Sequence, residues 1–213
     1  MRSLAPGAFA AELVALAGTL GEGERRIVAI AGPPASGKST LAEAVVAAVN
    51  TAHPGRAALL PQDGFHFDDT LLAARGHLPR KGAPHTFDVG GLASALARLR
   101  AGEPDVAVPR FDRDIEIARA GAIVIDRAAR LIVCEGNYLL LDEAPWRSLA
   151  PVFDVTAALQ VDEAELARRL TARWAGQGLD AAVIAAKVEE NDLPNGRLVV
   201  ARSIRHEIAI TAD

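Results

Sequence analysis

The chain has little to cross-link it. One residue of 213 is cysteine, so no disulfide can form within the chain. Cys134 lies inside an apolar run and reads as an inert core residue suited to a reducing cytoplasm, not as a nucleophile. Aromatic residues make up only 4%, which argues against a β-sandwich and for an aliphatic core with alanine-rich helices. A cationic excess is also missing. Lys and Arg number 23 against 27 Asp and Glu, so no broad basic field awaits a nucleic-acid backbone. A small molecule is the better partner, and a homodimer is compatible with the same composition. No apolar run is long enough to cross a bilayer, which leaves out a membrane. The apolar start is interrupted by Glu12, and Phe9, Leu13, Leu16 and Leu20 fall at helical spacing, so it reads as an amphipathic helix and not a secretion signal. At this length one core is expected, a single domain over 1–213.

What is present is Gly32-Pro33-Pro34-Ala35-Ser36-Gly37-Lys38-Ser39, followed by Thr40, which satisfies G-x-x-x-x-G-K-[ST]. An apolar run, Ile27 to Ala31, precedes it, and a helical run, Leu41 to Val49, follows. Such a strand-loop-helix turns backbone N–H groups and the positive end of a helix onto a polyphosphate. Lys38 would bridge the β- and γ-phosphates, and Ser39 would ligate Mg²⁺. ATP and Mg²⁺ are therefore the expected ligands.

Further acids stand where strands should end. Ala57 to Leu60 reads as a strand running into Pro61-Gln62-Asp63-Gly64-Phe65-His66. Ligands of open parallel sheets gather at the carboxyl ends of strands, so Asp63 is placed to take a proton from an acceptor hydroxyl. It reads equally as a turn or capping residue. His66 either touches substrate or packs. Leu131 to Cys134 is a second apolar strand ending on Glu135, an acid placed to organise magnesium or its water.

Residues 75–88 are rich in Gly, Pro and charge and are long for an idle connection. There Arg80, Lys81 and His85 either hold a polar substrate or form a solvated basic face. Val106 to Val108 reads as a strand entering a polar loop, and Gly121 to Asp126 as a strand-like run. Asp162 and Asp180 should cap two helices, Glu163 to Ala175 and Ala181 to Asn191, a hairpin carrying Arg168, Arg169 and Arg173. Such arginines could close over the γ-phosphate, and at least one of the three should be a surface residue. Asp192 to Gly196 reads as a turn, with Leu198 to Val200 and Glu207 to Thr211 strand-like.

The order of these motifs resembles the P-loop kinases that include uridine kinase, pantothenate kinase, phosphoribulokinase and nicotinamide riboside kinase. Asp63-Gly64-Phe65-His66, Arg80 to Pro84, Phe87-Asp88, Pro109 to Arg113 and Glu135 to Leu141 most resemble a bacterial branch labelled nucleoside-kinase-like or fructose-transport-associated. The resemblance implies an α/β three-layer fold with a five-stranded parallel core in the order 2-3-1-4-5 and a helical lid over about 162–192. It makes Asp63 the catalytic base, Glu135 the second acid near Mg²⁺, and Arg169 and Arg173 the lid arginines. Where uridine kinase has P-x-Y-D-x-x-x-H, this chain has Phe111 and Glu116 after Pro109, so the hydroxyl and imidazole that hold a pyrimidine nucleoside are both absent. Glu116, Arg113, Arg80 and Lys81 suit a sugar, sugar acid or sugar phosphate instead. A uridine-type or pantothenate-type kinase is the alternative. A nucleotide switch or ATPase without acceptor is another, and it would need neither Asp63 nor the long loop.

Overall fold

The computed structural model describes residues 1–211. The strands are β1 (Arg2–Leu4), β2 (Arg26–Ala31), β3 (Ala57–Pro61), β4 (Val106–Asp112), β5 (Ile117–Ile125), β6 (Leu131–Gly136), β7 (Val155–Gln160) and β8 (Ile208–Thr211). The α-helices are α1 (Pro6–Thr19), α2 (Lys38–Ala52), α3 (Asp69–Ala74), α4 (Val89–Arg100), α5 (Glu163–Gly176), α6 (Ala181–Ala186) and α7 (Leu193–Arg202).

Six strands form one parallel sheet in the order β3-β6-β2-β7-β8-β1. The expectation of five strands in the order 2-3-1-4-5 is corrected accordingly. Arg2–Leu4, not anticipated as a strand, pairs with Ile208 to Ile210 ahead of the expected helix and adds an edge strand, which shifts the numbering across the sheet. The sheet is covered on both faces. Helices α1 and α2 pack Phe9, Leu13, Leu41 and Val45 on Val28, Ile30, Val133 and Ile208. On the other face α4, the 3₁₀ segment Trp146–Val152 and Val199 of α7 cover Ile27, Ala29, Leu60, Ile132 and Cys134. Because β2 and β6 are buried on both faces, they read as continuous apolar runs instead of alternating ones. Each large aliphatic side chain buried there contributes roughly 1.5–3 kcal/mol.

Three further readings are revised. The polar stretch after Val108 is the tip of an antiparallel β4–β5 hairpin outside the main sheet. Asp192 to Gly196 is not a turn, and Leu198 to Val200 is not a strand. The chain passes from α6 through a π-helical turn, Lys187–Asp192, directly into α7, because Leu193 and Val199 bury on opposite flanks of one continuous helix. Asp162 and Asp180 occupy N-cap positions without a side-chain cap bond, whereas Asp68 caps α3 by accepting from Thr70 N.

The lid has a small core of its own, Leu166, Leu170, Ile184, Val188 and Leu193. Ties to the loop 75–88 hold it down. Arg80 donates to Glu190 O at 2.7 Å, and Asn191 Nδ2 donates to Lys81 O at 2.9 Å.

Candidate active site

Strand register assembles the site. Ile30 of β2 stands opposite Glu135 of β6, and Pro61 of β3 stands opposite the same residue from the other side. The loop that leaves β2 and the turn that leaves β3 therefore flank Glu135. The phosphate loop, Gly32 to Gly37, ends at Gly37 with φ of 95°, a left-handed conformation that glycine adopts without strain and that starts α2 at Lys38. Burial pushes the Lys38 ammonium below its ordinary pKa, while the neighbouring Glu135 and Asp63 carboxylates oppose that shift. Ser39 Oγ donates to Glu135 Oε2 at 3.1 Å. Glu135 is 4% exposed, and burial pushes its carboxyl up to about 7 against the pull of Lys38. A hydroxyl and a carboxylate in contact beside a lysine form a hard oxygen pair. That donor set fits Mg²⁺, which takes few protein ligands and completes its shell with water and phosphate.

Asp63 lies on the 3₁₀ turn Gln62–Phe65 that follows β3. A Cβ on Gly64 would collide with the Pro109 carbonyl, so glycine there lets β4 close against the turn. Asp63 Oδ2 accepts from the Arg113 guanidinium at 2.5 Å. Burial alone would raise its pKa, but His66, Arg113, Lys38 and Arg173 together bring it below the ordinary aspartate value. His66 keeps its Nδ1 2.8 Å from Asp63 O and packs between Phe87 and Phe111, with ring centroids at 4.0 and 4.7 Å.

The two lid arginines separate. Arg169 NH1 reaches the loop carbonyls of Ala35 and Ser36 at 3.4 and 3.3 Å, while its Nε is held by Glu165. Arg173 instead lines the cavity beyond the loop, its guanidinium 5.2 Å from the Trp174 ring centroid. Arg168 pairs with Glu165 on the surface.

That cavity, 80 Å³, brings Asp63, His66, Lys81, Phe111, Arg113, Glu116 and Arg173 together. Two expected substrate residues stand outside it. Arg80 is spent on the lid, bonding Glu190 O and Asn195 Oδ1. His85 is exposed and packs edge-on against His77 at 4.6 Å. Lys81 enters the cavity but is held at 2.6 Å by both Asp69 and the Glu116 carbonyl.

Asn137, Trp174, Asp192 and Asn195 also line it and were not anticipated. Asn137 alone left a trace in the sequence, since it stands two residues past the acid that ends β6. Glu116 Oε1 and Asn137 Oδ1 are buried and find no hydrogen-bond partner among the described residues. The Tyr138 hydroxyl donates to Gly82 O at 2.6 Å and Trp146 Nε1 to Pro84 O at 3.2 Å, which anchors the loop 75–88 as a wall. On the opposite flank of the phosphate loop, a cleft of 390 Å³ lined by Pro6, Thr40, Leu41, Ala44, Val161 and Ile210 opens beside the start of α2.

The likeness to known proteins covers nearly the whole chain. YggC of Escherichia coli, an uncharacterized protein, is 33% identical over 87% of this chain and 77% of its own length. A proposed uridine kinase of Schizosaccharomyces pombe is 30% identical over 88% of this chain and 83% of its own. The chain belongs to the P-loop kinases of the uridine kinase, pantothenate kinase and phosphoribulokinase family. The crystal structure of a proposed fructose transport system kinase from Silicibacter sp. TM1040 superposes with a TM-score of 0.88 at 38% identity, over 97% of this chain and 98% of that one. No protein-family model matches the chain. As a P-loop kinase it combines a nucleotide-binding loop with a separate polar cavity. Among the described residues no helix is long and apolar enough to cross a membrane.

Proposed function

We propose that the protein transfers the γ-phosphoryl group of ATP to a hydroxyl of a small polyhydroxylated metabolite, a sugar or sugar derivative. The observation that carries the reading is the pair of unpartnered buried acceptors, Glu116 Oε1 and Asn137 Oδ1, in the cavity that holds Asp63. A buried acceptor without a donor costs about 1–3 kcal/mol, and hydroxyl hydrogens are the donors a sugar supplies in number. A pyrimidine edge is served less well, because Phe111 stacks but cannot pair.

In this reading Asp63 takes the hydroxyl proton as the alcohol oxygen bonds to the γ-phosphorus and ADP departs. Loop N–H groups and Lys38 hold the β- and γ-phosphates, and Arg173 stabilises the charge that spreads over the moving group. The 390 Å³ cleft beside Thr40 takes the base, with Arg169 fixing the outer edge of the loop. Ser39 and Glu135 would hold Mg²⁺, which when bound screens the phosphate charge. The lid and the loop 75–88 together keep water from the site.

The test is ADP release measured side by side over sugars, polyols, sugar acids, pantothenate, uridine and cytidine. A sugar or sugar derivative should give the highest kcat/KM. A nucleoside or pantothenate in first place refutes the acceptor assignment, and equal ADP release without any acceptor would favour an ATPase.

A further inference from the structure

Arg113 occupies the atom that the chemistry needs. Its guanidinium sits 2.5 Å from Asp63 Oδ2, where an acceptor hydroxyl would have to deliver its proton. The residue belongs to the turn of the β4–β5 hairpin, outside the main sheet, and its side chain is 46% exposed. Asp63 is only 18% exposed, so of the two partners it is Arg113 that can turn into solvent.

The same pair divides the space around the site. On the lid side lies the 80 Å³ cavity, with room for a few water molecules but no hexose. On the hairpin side lies a second cavity of 620 Å³, which reaches Ser39 and Glu135. Asp63, Phe111 and Arg113 line both. Turning Arg113 outward would join the two and bare the carboxylate. Arg110 lines the larger cavity from the same hairpin, and it makes no ion pair among the described residues.

We propose that Arg113 is a specificity-determining gate over Asp63, opened by an anionic substituent on the acceptor, so that the preferred acceptor is an alcohol that also carries a carboxylate or phosphate. The inference rests on the kinase reading above. An anionic acceptor exchanges one carboxylate on Arg113 for another anion, in the two-pronged geometry that guanidinium favours, and Arg110 on the wall of the larger cavity offsets part of the charge of Glu43, Asp112 and Asp114 there. A neutral acceptor must break the pair and leaves Arg113 nothing in return. With the gate open, the hydroxyl proton passes to Asp63, the alcohol oxygen bonds to the γ-phosphorus, and the bond from that phosphorus to the β-phosphate oxygen breaks to release ADP.

Matched acceptors test this: glycerol against glycerate, glucose against gluconate and glucose 6-phosphate. Each is assayed by ADP release with the wild type, Arg113→Met, Arg113→Lys and the exposed-surface control Arg127→Met. The charged member should be favoured by about tenfold or more in kcat/KM in the wild type and the control, and by less than about twofold in Arg113→Met. Arg113→Lys should keep part of the preference, since it retains charge without the fork, and this separates lost recognition from a folding defect. A wild-type preference for neutral acceptors, or an unchanged ratio in Arg113→Met, overturns the gate while leaving the kinase reading standing. If neither class raises ADP release, the acceptor reading itself fails, and calorimetric titration with the same pairs decides the gate. Binding of charged members only, lost in Arg113→Met, supports it; equal binding of both members overturns it.

Discussion

The two flanks of the phosphate loop are built by different rules. On the nucleotide flank, one contiguous stretch from Arg26 to Ala52 supplies strand, loop and helix, and its groups for a ligand are largely backbone N–H. On the acceptor flank, side chains from β3's turn, the loop 75–88, the β4–β5 hairpin, the end of β6 and the lid converge on one small cavity. The few aromatic residues concentrate there too: Phe87, Tyr138 and Trp146 form a cluster with centroids 5.4–5.7 Å apart, and Phe111 stacks on His66. A backbone cradle tolerates sequence change around it and keeps one ligand. A side-chain cradle changes ligand with a few substitutions.

The sharpest break of this contrast is Lys38→Ala. It removes the buried ammonium at the end of the phosphate loop, whose neighbouring charges are Glu135 and Asp63, and turnover should fall by at least about 10³, with a smaller loss of nucleotide affinity, read by single-turnover ADP formation and calorimetry. Asp63→Asn should separate the flanks. Turnover should drop by roughly 10²–10⁴ while affinity for Mg²⁺·ATP stays within a few-fold, and a parallel collapse of affinity would make Asp63 a metal or structural residue. Glu116→Gln should act on the acceptor flank alone, lowering acceptor kcat/KM by about tenfold with nucleotide binding unchanged, because the amide supplies one oxygen where the carboxylate supplied two.

The smallest effect lies outside both flanks. Asp154 accepts from Ile27 N at 2.7 Å and pairs with Arg26 and Arg100, tying the start of β7 to β2. Burial would raise its pKa, but Arg100, the Ile27 amide and Arg26 more than offset it, so the folded value lies below the ordinary one. The unfolded chain therefore binds the proton first as pH falls. The stabilisation should be present in full above the unfolded aspartate value, near pH 4, and vanish below the folded one. Asp154→Asn should cost about 1–2 kcal/mol at pH 7 by urea unfolding and progressively less at strongly acidic pH.

The same contrast explains what could be read from residues alone. Gly32 to Thr40 was legible because its geometry is local. Asp63 and Glu135 were legible as acids at strand ends, since strands β3 and β6 show themselves as apolar runs. The roles of Arg80 and His85 stayed open because a basic loop reads the same whether its charges face a cavity, a lid or solvent. Trp174 and Asn195 were hidden because they reach the cavity only after α5 and α7 fold back over the loop 75–88, a placement that no spacing in the chain encodes. Leu198 to Val200 looked like a strand because three apolar residues in a row fit a buried strand and a packed helix equally.

One consequence of the aromatic placement is spectroscopic. Of the two tryptophans, Trp146 is sealed in the core at 1% exposure, and its environment is set by Pro84 and Tyr138. Trp174 rides on the lid, donates to Asp192 at 2.7 Å, faces Lys187 at 4.4 Å and borders the acceptor cavity. The native chain thus carries an internal reference and a reporter. A change in intrinsic emission on adding an acceptor is expected to come from Trp174, so lid engagement becomes observable without a label, and Trp174→Phe leaves only the constant background of Trp146.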